Sequence, residues 1–203
     1  MKSLAILLIT ALLVLLAPAA RAAAPAKPNI VYIMADDLGW TDLACYGSKY
    51  YETPNIDRLA AEGTKFTHGY TAGPNCQPTR AALLTGQYGP RTGVYTVGNI
   101  YRFNWQSRPL KPVENVGQLP LEKVTFPQQL QKAGYKTGMF GKWHLGPSTG
   151  PHGPAERGFD KAIESSGKHF DFETTPKVEV PEGAYLADFL TDKGAVMESH
   201  ARR

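Results

Sequence analysis

The 203-residue sequence predicts an α/β fold with a mixed, mostly parallel sheet flanked by helices. Three observations support this fold class. Strand-like apolar runs alternate with helix-like patterns, the first apolar run is continuous as in a buried parallel strand, and Gly and Pro fall in short clusters that mark connections. With 42% hydrophobic and 20% charged residues, the composition is that of a globular protein forming one domain or part of a larger one.

The elements follow in order from apolar patterns and their boundary residues. Helices are expected where Pro or Thr precedes an apolar periodicity and Gly ends it, as with Pro54 and Gly63. Strands are expected in short apolar runs between turn residues. The sequence therefore predicts strands at residues 29–34, 65–72 and 135–140, and helices at 54–62, 78–85, 125–133 and 185–200.

The first 22 residues have the three parts of a signal peptide. Lys2 is cationic, residues 4–16 are apolar, and small residues end the segment at Ala22. The apolar part is shorter than the roughly 20 residues that span a bilayer. We therefore expect cleavage and export to the periplasm or the exterior without a stable membrane anchor, with residues 23–203 as the mature chain.

The charge balance does not require a nucleic-acid partner. The formal charge is +4, and without Lys2 and Arg21 in the leader it falls to +2. The basic residues are scattered and do not alternate with aromatic residues along a stripe that could follow a phosphate backbone. No nucleic-acid partner is predicted.

The first candidate site cluster is Asp36-Asp37, directly after the opening strand. Ligands of open α/β sheets bind beyond the carboxyl ends of the strands. Two carboxylates there suit a hard cation such as Ca²⁺ or Mg²⁺. A turn with a helix cap is the alternative, because Asp is common in both roles.

The second cluster runs from Cys76 to Arg80. Pro78 in a first helical turn places Cys76 at a helix N-terminus, where free N–H groups favour an anion, and Arg80 lies one turn away. Three alternatives remain open from the spacing: a buried structural Cys, a Cys45–Cys76 disulfide in an oxidising compartment, or a thiolate nucleophile.

The third cluster ends the strand predicted at residues 135–140. If the chain stays extended, Lys142 and His144 project to the same side and offer a cation beside a titratable group. The alternative is an edge turn with a solvated Lys142 and a structurally bonded His144.

Together these clusters resemble the sulfatase family. The resemblance lies in C-x-P-T-R-A-A-L-L-T-G from Cys76, D-D-L-G-W from Asp36, T-P-N-I-D-R-L-A-A-E-G from Thr53 and G-Y-K-T-G-M-F-G-K-W-H from Gly134. It implies an alkaline-phosphatase-like fold and hydrolysis of sulfate esters. It also implies that a formylglycine-generating or other maturating enzyme oxidises Cys76 to Cα-formylglycine, because Cys76, Pro78 and Arg80 match the modification signal.

The resemblance also implies the role of each site residue. Asp36, Asp37 and residue 76 would ligate Ca²⁺, with Mg²⁺ as a substitute. Arg80 would stabilise the hydrated formylglycine, Lys142 would contact the sulfate, and His144 would hydrogen-bond the hydrate. Ser166, Lys168 and His169 lie where further substrate contacts occur in the family.

Further metal ligands in sulfatases come from an Asp-Asn or similar pair well downstream of residue 203. The resemblance therefore implies the N-terminal part of a sulfatase, with a sheet incomplete at its C-terminus. Two alternatives remain: a phosphodiesterase or phosphonate-ester hydrolase of the same superfamily, and a noncatalytic remnant.

The long loop at residues 97–124 bears on the substrate. Its aromatic and basic residues could stack on and grip a sulfated sugar. They could instead pack the loop onto the domain. These residues are Tyr101, Arg102, Phe103, Trp105 and Arg108.

The incomplete sheet predicts marginal folding. Urea unfolding of the 203-residue chain, followed by circular dichroism, is expected to give a broad transition. A sharp, cooperative transition would contradict this prediction.

Overall fold

A computed structural model describes residues 27–102, 104–165 and 167–201. The predicted signal peptide lies outside the described residues. In the described part of the chain, no helix is long and apolar enough to cross a membrane. The described residues fall into two units that divide between Ile33 and Met34, and every helix and strand named below lies in the second unit.

Helices and short strands follow one another along the second unit. The helices are α1 (Pro54–Glu62), α2 (Cys76–Thr85), α3 (Gly89–Thr92), α4 (Phe126–Lys132) and α5 (Leu186–Ala201). The strands are β1 (Gly138–Gly141) and β2 (Lys161–Glu164). Short 3₁₀ helices cover Trp40–Asp42, Ala44–Tyr46, Ile100–Arg102 and Trp105–Ser107.

Strands β1 and β2 pair in parallel, with Gly138 opposite Lys161 and Gly141 opposite Glu164. Successive side chains of a strand point to opposite faces, and here each face meets its own hydrophobic cluster. One cluster contains residues of α2 together with Trp143 and packs against β1 and β2 through Met139 and Ala162. The other includes Phe189 of α5 and meets the opposite face. Parallel strands flanked by helices are thereby confirmed.

Four helices lie where the sequence predicts them, because their ends carry specific stop and start signals. Gly86 adopts a left-handed φ of 65° and closes α2 by donating its N–H to the Ala82 carbonyl at 2.8 Å. The side chain of Thr125 caps α4 by accepting from the backbone N–H of Gln128. Helix α2 begins at Cys76, two residues earlier than predicted, which puts Cys76 itself in the first turn.

Two predicted strands are wrong. Residues 29–34 and 65–72 form no ladder with any described strand. Ile30 and Ile33 are 57% and 82% exposed, and Tyr70 is 87% exposed. Apolar runs specify a strand only when a neighbouring strand accepts their backbone hydrogen bonds, and no described segment does so here. Strand β2, in contrast, forms from a run that is too short to stand out in the sequence.

Thr137 and Asp160 tie together the starts of β1 and β2. The Thr137 N–H donates to Asp160 Oδ2 at 2.8 Å, and the Asp160 N–H donates to Thr137 Oγ1 at 3.1 Å. The hydrogen bond from the Thr137 backbone N–H to the Asp160 carboxylate holds the pKa of Asp160 below its ordinary value. The reciprocal bonds fix the register of the two strands immediately before the ladder begins.

Replacing Asp160 with Ala should loosen this junction. The lost hydrogen bond is worth about 1 kcal/mol, so amide exchange at Thr137, corrected for its intrinsic rate, should be about fivefold faster near neutral pH. Because the folded pKa of Asp160 is lowered, its contribution is fully present above the unfolded value of about 3.9. It is lost as pH falls through the folded pKa, where parent and variant should converge. Exposed Glu182→Ala is the control and should leave Thr137 unchanged; equal rates in Asp160→Ala would contradict the prediction.

Candidate functional site

Three segments that are far apart in the sequence meet at the carboxylate of Asp36. Lys142 Nζ lies 2.8 Å from Asp36 Oδ2, and Arg80 Nη2 lies 3.2 Å from the same oxygen. Arg80 Nη1 also donates to the backbone carbonyl of Lys142 at 2.6 Å. One residue from each of the three sequence clusters is therefore in direct contact.

Packing beneath the site holds α2 against the turn that follows β1. Ala81 and Leu84, on the buried side of α2, join a cluster with Trp143, which is 2% exposed. The Trp143 indole donates to the His152 carbonyl at 2.9 Å and meets Phe159 edge to face. Since Trp143 is fixed in the core, its neighbour Lys142 is held within reach of Arg80.

Cys76 occupies the first position of α2, with Asn75 as the N-cap residue. The preceding turn is tight, because a Cβ on Gly73 would lie 2.9 Å from Pro78 Cβ. Thr79 Oγ1 donates to the Gly73 carbonyl at 3.0 Å, so the hydroxyl at this position secures the turn. Cys45 and Cys76 are both free thiols, so the alternative of a disulfide between them is wrong.

The charges at the site stabilise one another. The hydrogen bond from Lys142 lowers the pKa of Asp36; burial opposes this effect, and the charges of Lys142 and Arg80 add to it. Burial by itself lowers the pKa of Lys142, but its hydrogen bond to Asp36 and the neighbouring Cys76 outweigh burial and raise that pKa. Lys142 is thus held as an ammonium by Asp36, with Cys76 also near it.

Asp37 and His144 both adopt a left-handed backbone conformation. Asp37 has a left-handed φ of 56°, is exposed, and receives no hydrogen bond or ion pair from the described residues. Strand β1 ends at Gly141, and His144 has a φ of 60°. The chain is therefore not extended across Lys142 and His144, and the expectation that they project to one side as strand neighbours is wrong. His144 is half-buried in the turn.

The carboxylates fit part of a cation site. Asp36 uses Oδ2 for Lys142 and Arg80, whereas none of the described residues donates to its Oδ1 or to Asp37. Over residues 27–102, 104–165 and 167–201, no three His, Cys, Asp or Glu side chains converge to hold a metal. Ca²⁺ takes about 6–8 oxygen ligands. Asp36, Asp37 and residue 76 fit as members of such a shell and do not fill it.

Sequence reasoning missed two residues that support the site. Gln77 is 3% exposed; its side chain donates to the Gly117 carbonyl at 2.6 Å and accepts from the Gly98 N–H at 3.0 Å. Glu164, at the end of β2, accepts from the Trp143 N–H at 3.3 Å. No motif in the sequence singles out either residue. Gln77, for example, occupies the position between Cys76 and Pro78 at which the sulfatase motif accepts any residue.

Of the three further substrate contacts expected, Ser166 lies outside the described residues. Lys168 is exposed. The ring of His169 stacks on Tyr185, with ring centroids 5.9 Å apart. Neither residue contacts Asp36, Arg80 or Lys142 in the described structure.

A protein-family model described as Sulfatase matches residues 28–197 of the chain. The chain belongs to the sulfatase family. It is 44% identical over 160 residues to the N-acetylgalactosamine-6-sulfatase of Homo sapiens, covering 77% of this chain and 30% of that protein. It is 52% identical over 127 residues to a protein named Sulfatase from Formosa agariphila, covering 58% and 23%. The chain thus spans less than a third of the length of these sulfatase relatives.

Solved structures give the same result for the fold. Ps i-CgsB, solved in complex with k-i-k-neocarrahexaose, matches with a TM-score of 0.69 and 32% identity over 86% of this chain and 42% of that one. A second protein, solved with its substrate D-glucosamine-2-N,6-O-disulfate, matches with a TM-score of 0.62 and 32% identity over 83% and 30%. The alkaline-phosphatase-like fold predicted from the sulfatase resemblance is confirmed.

Replacing Lys142 with Met should raise the pKa of Asp36, because the hydrogen bond from Lys142 is the main cause of its lowering. The ionised Asp36 carboxylate contributes to the free energy of unfolding above the pKa of Asp36 in the unfolded chain. This contribution is lost as pH falls through the pKa of Asp36 in the folded chain. Because that folded pKa is higher in the variant, the variant should lose the contribution at a higher pH. A carboxyl ¹³C NMR titration measures the change. Lys65→Met is the matched control, since Lys65 bonds instead to the Cys45 carbonyl. An unchanged Asp36 pKa in Lys142→Met would refute the assignment.

Proposed function

We propose that the protein hydrolyses sulfate esters by means of a nucleophile derived from Cys76. The observation that carries this proposal is the contact of Asp36, Arg80 and Lys142 beside Cys76 in a chain of the sulfatase family. Fixed cations at this point can balance the charge that develops on the oxygens of a transferring sulfate. Because they are held by ion pairs and by the core beneath them, they need no rearrangement when substrate arrives.

The proposed nucleophile requires oxidation of Cys76 to formylglycine by a separate maturating enzyme. Cys76, Pro78 and Arg80 supply the family's modification signal, and Cys76 is a free thiol. In the oxidation, the bond between Cβ and sulfur breaks, sulfur leaves as sulfide, and an oxidant used by the maturating enzyme, such as molecular oxygen, accepts two electrons. Cβ becomes the carbon of an aldehyde, which water converts to a geminal diol. The diol has two hydroxyl groups on one carbon, and each has a separate use.

In the proposed reaction, one hydroxyl oxygen attacks sulfur, the S–O bond to the alcohol breaks, and the alcohol leaves with a proton. The second hydroxyl then loses its proton, the aldehyde reforms, and the C–O bond to the sulfate breaks. Sulfate leaves and water restores the diol. An ordinary Ser or Thr ester would need a fresh attack by water at this stage, so the second hydroxyl explains turnover.

The residues of this chain have distinct proposed parts. Lys142, which pairs with Asp36 near Cys76, holds the sulfate or the departing oxygen. Arg80 stabilises the hydrated residue 76 and the charge of Asp36. His144 hydrogen-bonds the diol. Asp36, Asp37 and residue 76 would hold Ca²⁺, or Mg²⁺ in its place, whose charge favours the ionised hydroxyl.

Sulfated carbohydrates are the proposed substrates. The human relative is named for N-acetylgalactosamine-6-sulfate, and a structural neighbour was solved with a sulfated glucosamine as its substrate. Other relatives carry the names Arylsulfatase H and Steryl-sulfatase, so aryl sulfates are the second group to assay. Export through the leader belongs to the same proposal, since sulfated polysaccharides are found outside cells.

Turnover of sulfate esters should require conversion of Cys76 to formylglycine. After co-expression with a formylglycine-generating enzyme, mass spectrometry of the peptide that carries residue 76 should show an aldehyde in place of the thiol. Hydrolysis of sulfate and phosphate esters should be measured in parallel, on a version of the protein that extends to the length of the sulfatase relatives. Sulfate esters should react faster than phosphate esters. Cys76→Ala should lower kcat by at least about a thousandfold.

The matched control for that experiment is Cys45→Ala, which removes the other thiol and should leave hydrolysis unchanged. An unmodified Cys76 in an active protein would overturn the formylglycine mechanism. Faster hydrolysis of phosphate esters would assign the chain to phosphoester chemistry.

A further inference from the structure

A cavity of about 310 Å³ lies in the segment of residues 95–113, outside the Asp36–Arg80–Lys142 contact. Its lining combines aromatic, apolar and basic side chains. The residues that matter here are Tyr95, Thr96, Trp105, Arg108, Pro112 and Val113. We call this space the loop cavity. Its volume is at the small end of the range for ligand sites, about 300–1,000 Å³.

Hydrogen bonds join the loop cavity to the turn that carries Cys76. Asn75 Nδ2 lies 3.5 Å from Thr96 Oγ1, and the Gly98 N–H donates to Gln77 Oε1 at 3.0 Å. Asn75 and Gln77 are the immediate neighbours of Cys76. The wall of the loop cavity at Thr96 is therefore joined to the turn that carries the proposed nucleophile.

The wall of the loop cavity on this side is fixed. Asn115 Oδ1 accepts from the backbone N–H groups of Tyr95 and Thr96 at 2.6 and 3.1 Å. The Asn115 amide donates in turn to the carbonyls of Thr96 and Gly98. One side chain thus holds the strip of backbone between the cavity and the Cys76 turn, as a preformed site requires.

The chemistry of the lining suits a sugar that bears a negative charge. Trp105 offers an indole, and Lys111 Nζ lies 5.7 Å from the centre of its ring. Arg108 adds a guanidinium, and no Asp or Glu occurs in residues 95–113. Aromatic faces stack on the apolar faces of sugars, while guanidinium and ammonium groups bind sulfate or carboxylate.

The nitrogen edge of the Trp105 ring is turned away from solvent. Trp105 Nε1 is buried and has no hydrogen-bond partner among the described residues. A buried donor without an acceptor costs free energy, and native proteins rarely leave one unsatisfied. Because this nitrogen is not accessible, Trp105 can contact a ligand in the loop cavity only through the surface of its ring.

We propose that the loop cavity binds a saccharide unit carrying an anionic group, next to the unit whose sulfate ester is cleaved. The anionic group contacts Arg108, and the sugar ring stacks on Trp105. The inference rests on the proposed sulfatase function for the identity of the reacting unit. Occupation of the cavity does not require turnover and can be measured by itself.

The test is an NMR titration of the ¹⁵N-labelled full chain. The indole N–H signal of Trp105 is assigned by its loss in Trp105→Phe, and the signal of buried Trp143 reports on the fold in the same spectrum. Three probes are added in turn: a defined disaccharide with a sulfate on each sugar, its desulfated counterpart, and inorganic sulfate. We expect a saturable shift of the Trp105 signal with the sulfated disaccharide alone.

Two variants with the same change of charge complete the test. Arg108→Ala should weaken binding about tenfold or more, because it removes a charge-assisted hydrogen bond. Arg58→Ala, on exposed α1, should bind within about twofold of the parent. Both spectra must keep the Trp143 signal in place. Equal binding by Arg108→Ala and the parent, no shift with the disaccharide, or an equal shift with inorganic sulfate or the desulfated sugar would each overturn the proposal.

Cys76→Ala separates this inference from the proposed function. The variant cannot form the nucleophile, yet its loop cavity should bind the sulfated disaccharide as the parent does. Binding without conversion of Cys76 in the parent would refute the formylglycine mechanism and leave the loop cavity as a saccharide site. Conversion and turnover without any shift at Trp105 would refute the loop cavity alone.

Discussion

The carboxylate of Asp36 is the point on which the site depends. Arg80 and Lys142 come from different parts of the chain, and their positive charges would repel each other without an anion between them. Breaking one member of such a group leaves the others with charges that burial makes costly. The pKa values of Asp36 and Lys142 are displaced in opposite directions, which is the expected result of mutual stabilisation.

This charged contact rests on an apolar one. Trp143 is buried beneath α2 together with Ala81 and Leu84, and it follows Lys142 directly in the chain. Glu164 holds the backbone N–H of Trp143 from the neighbouring strand. Trp143 thus determines the positions of Arg80 and Lys142 from the core beneath them. A substitution that alters the side-chain volume at Trp143 should therefore shift these charged side chains without replacing either of them.

The sequence predicted the helices and the meeting of three clusters more reliably than the strands. Helix ends are local: a Gly that can adopt a positive φ, such as Gly86, stops a helix wherever it occurs. Strands depend on a partner, so the apolar run at residues 29–34 did not identify a strand and β2 was missed. The predicted proximity of Asp36 to Arg80 and Lys142 was nevertheless correct, although residues 29–34 before Asp36 do not form a strand. The left-handed turn at His144 could not be predicted, because no pattern in the sequence specifies a positive φ there.

Gln77 has a consequence for how specificity can change. The Gln77 side chain forms hydrogen bonds with the backbone of Gly98 and Gly117, and Gln77 follows Cys76 directly in the chain. The residues between those two glycines can therefore vary as long as Asn115 is kept, because its side chain holds the backbone of Tyr95 and Thr96 while Gln77 binds only backbone groups. Loops from other sulfatases that keep this Asn could be grafted between the same two glycines without rebuilding the helix that presents the nucleophile.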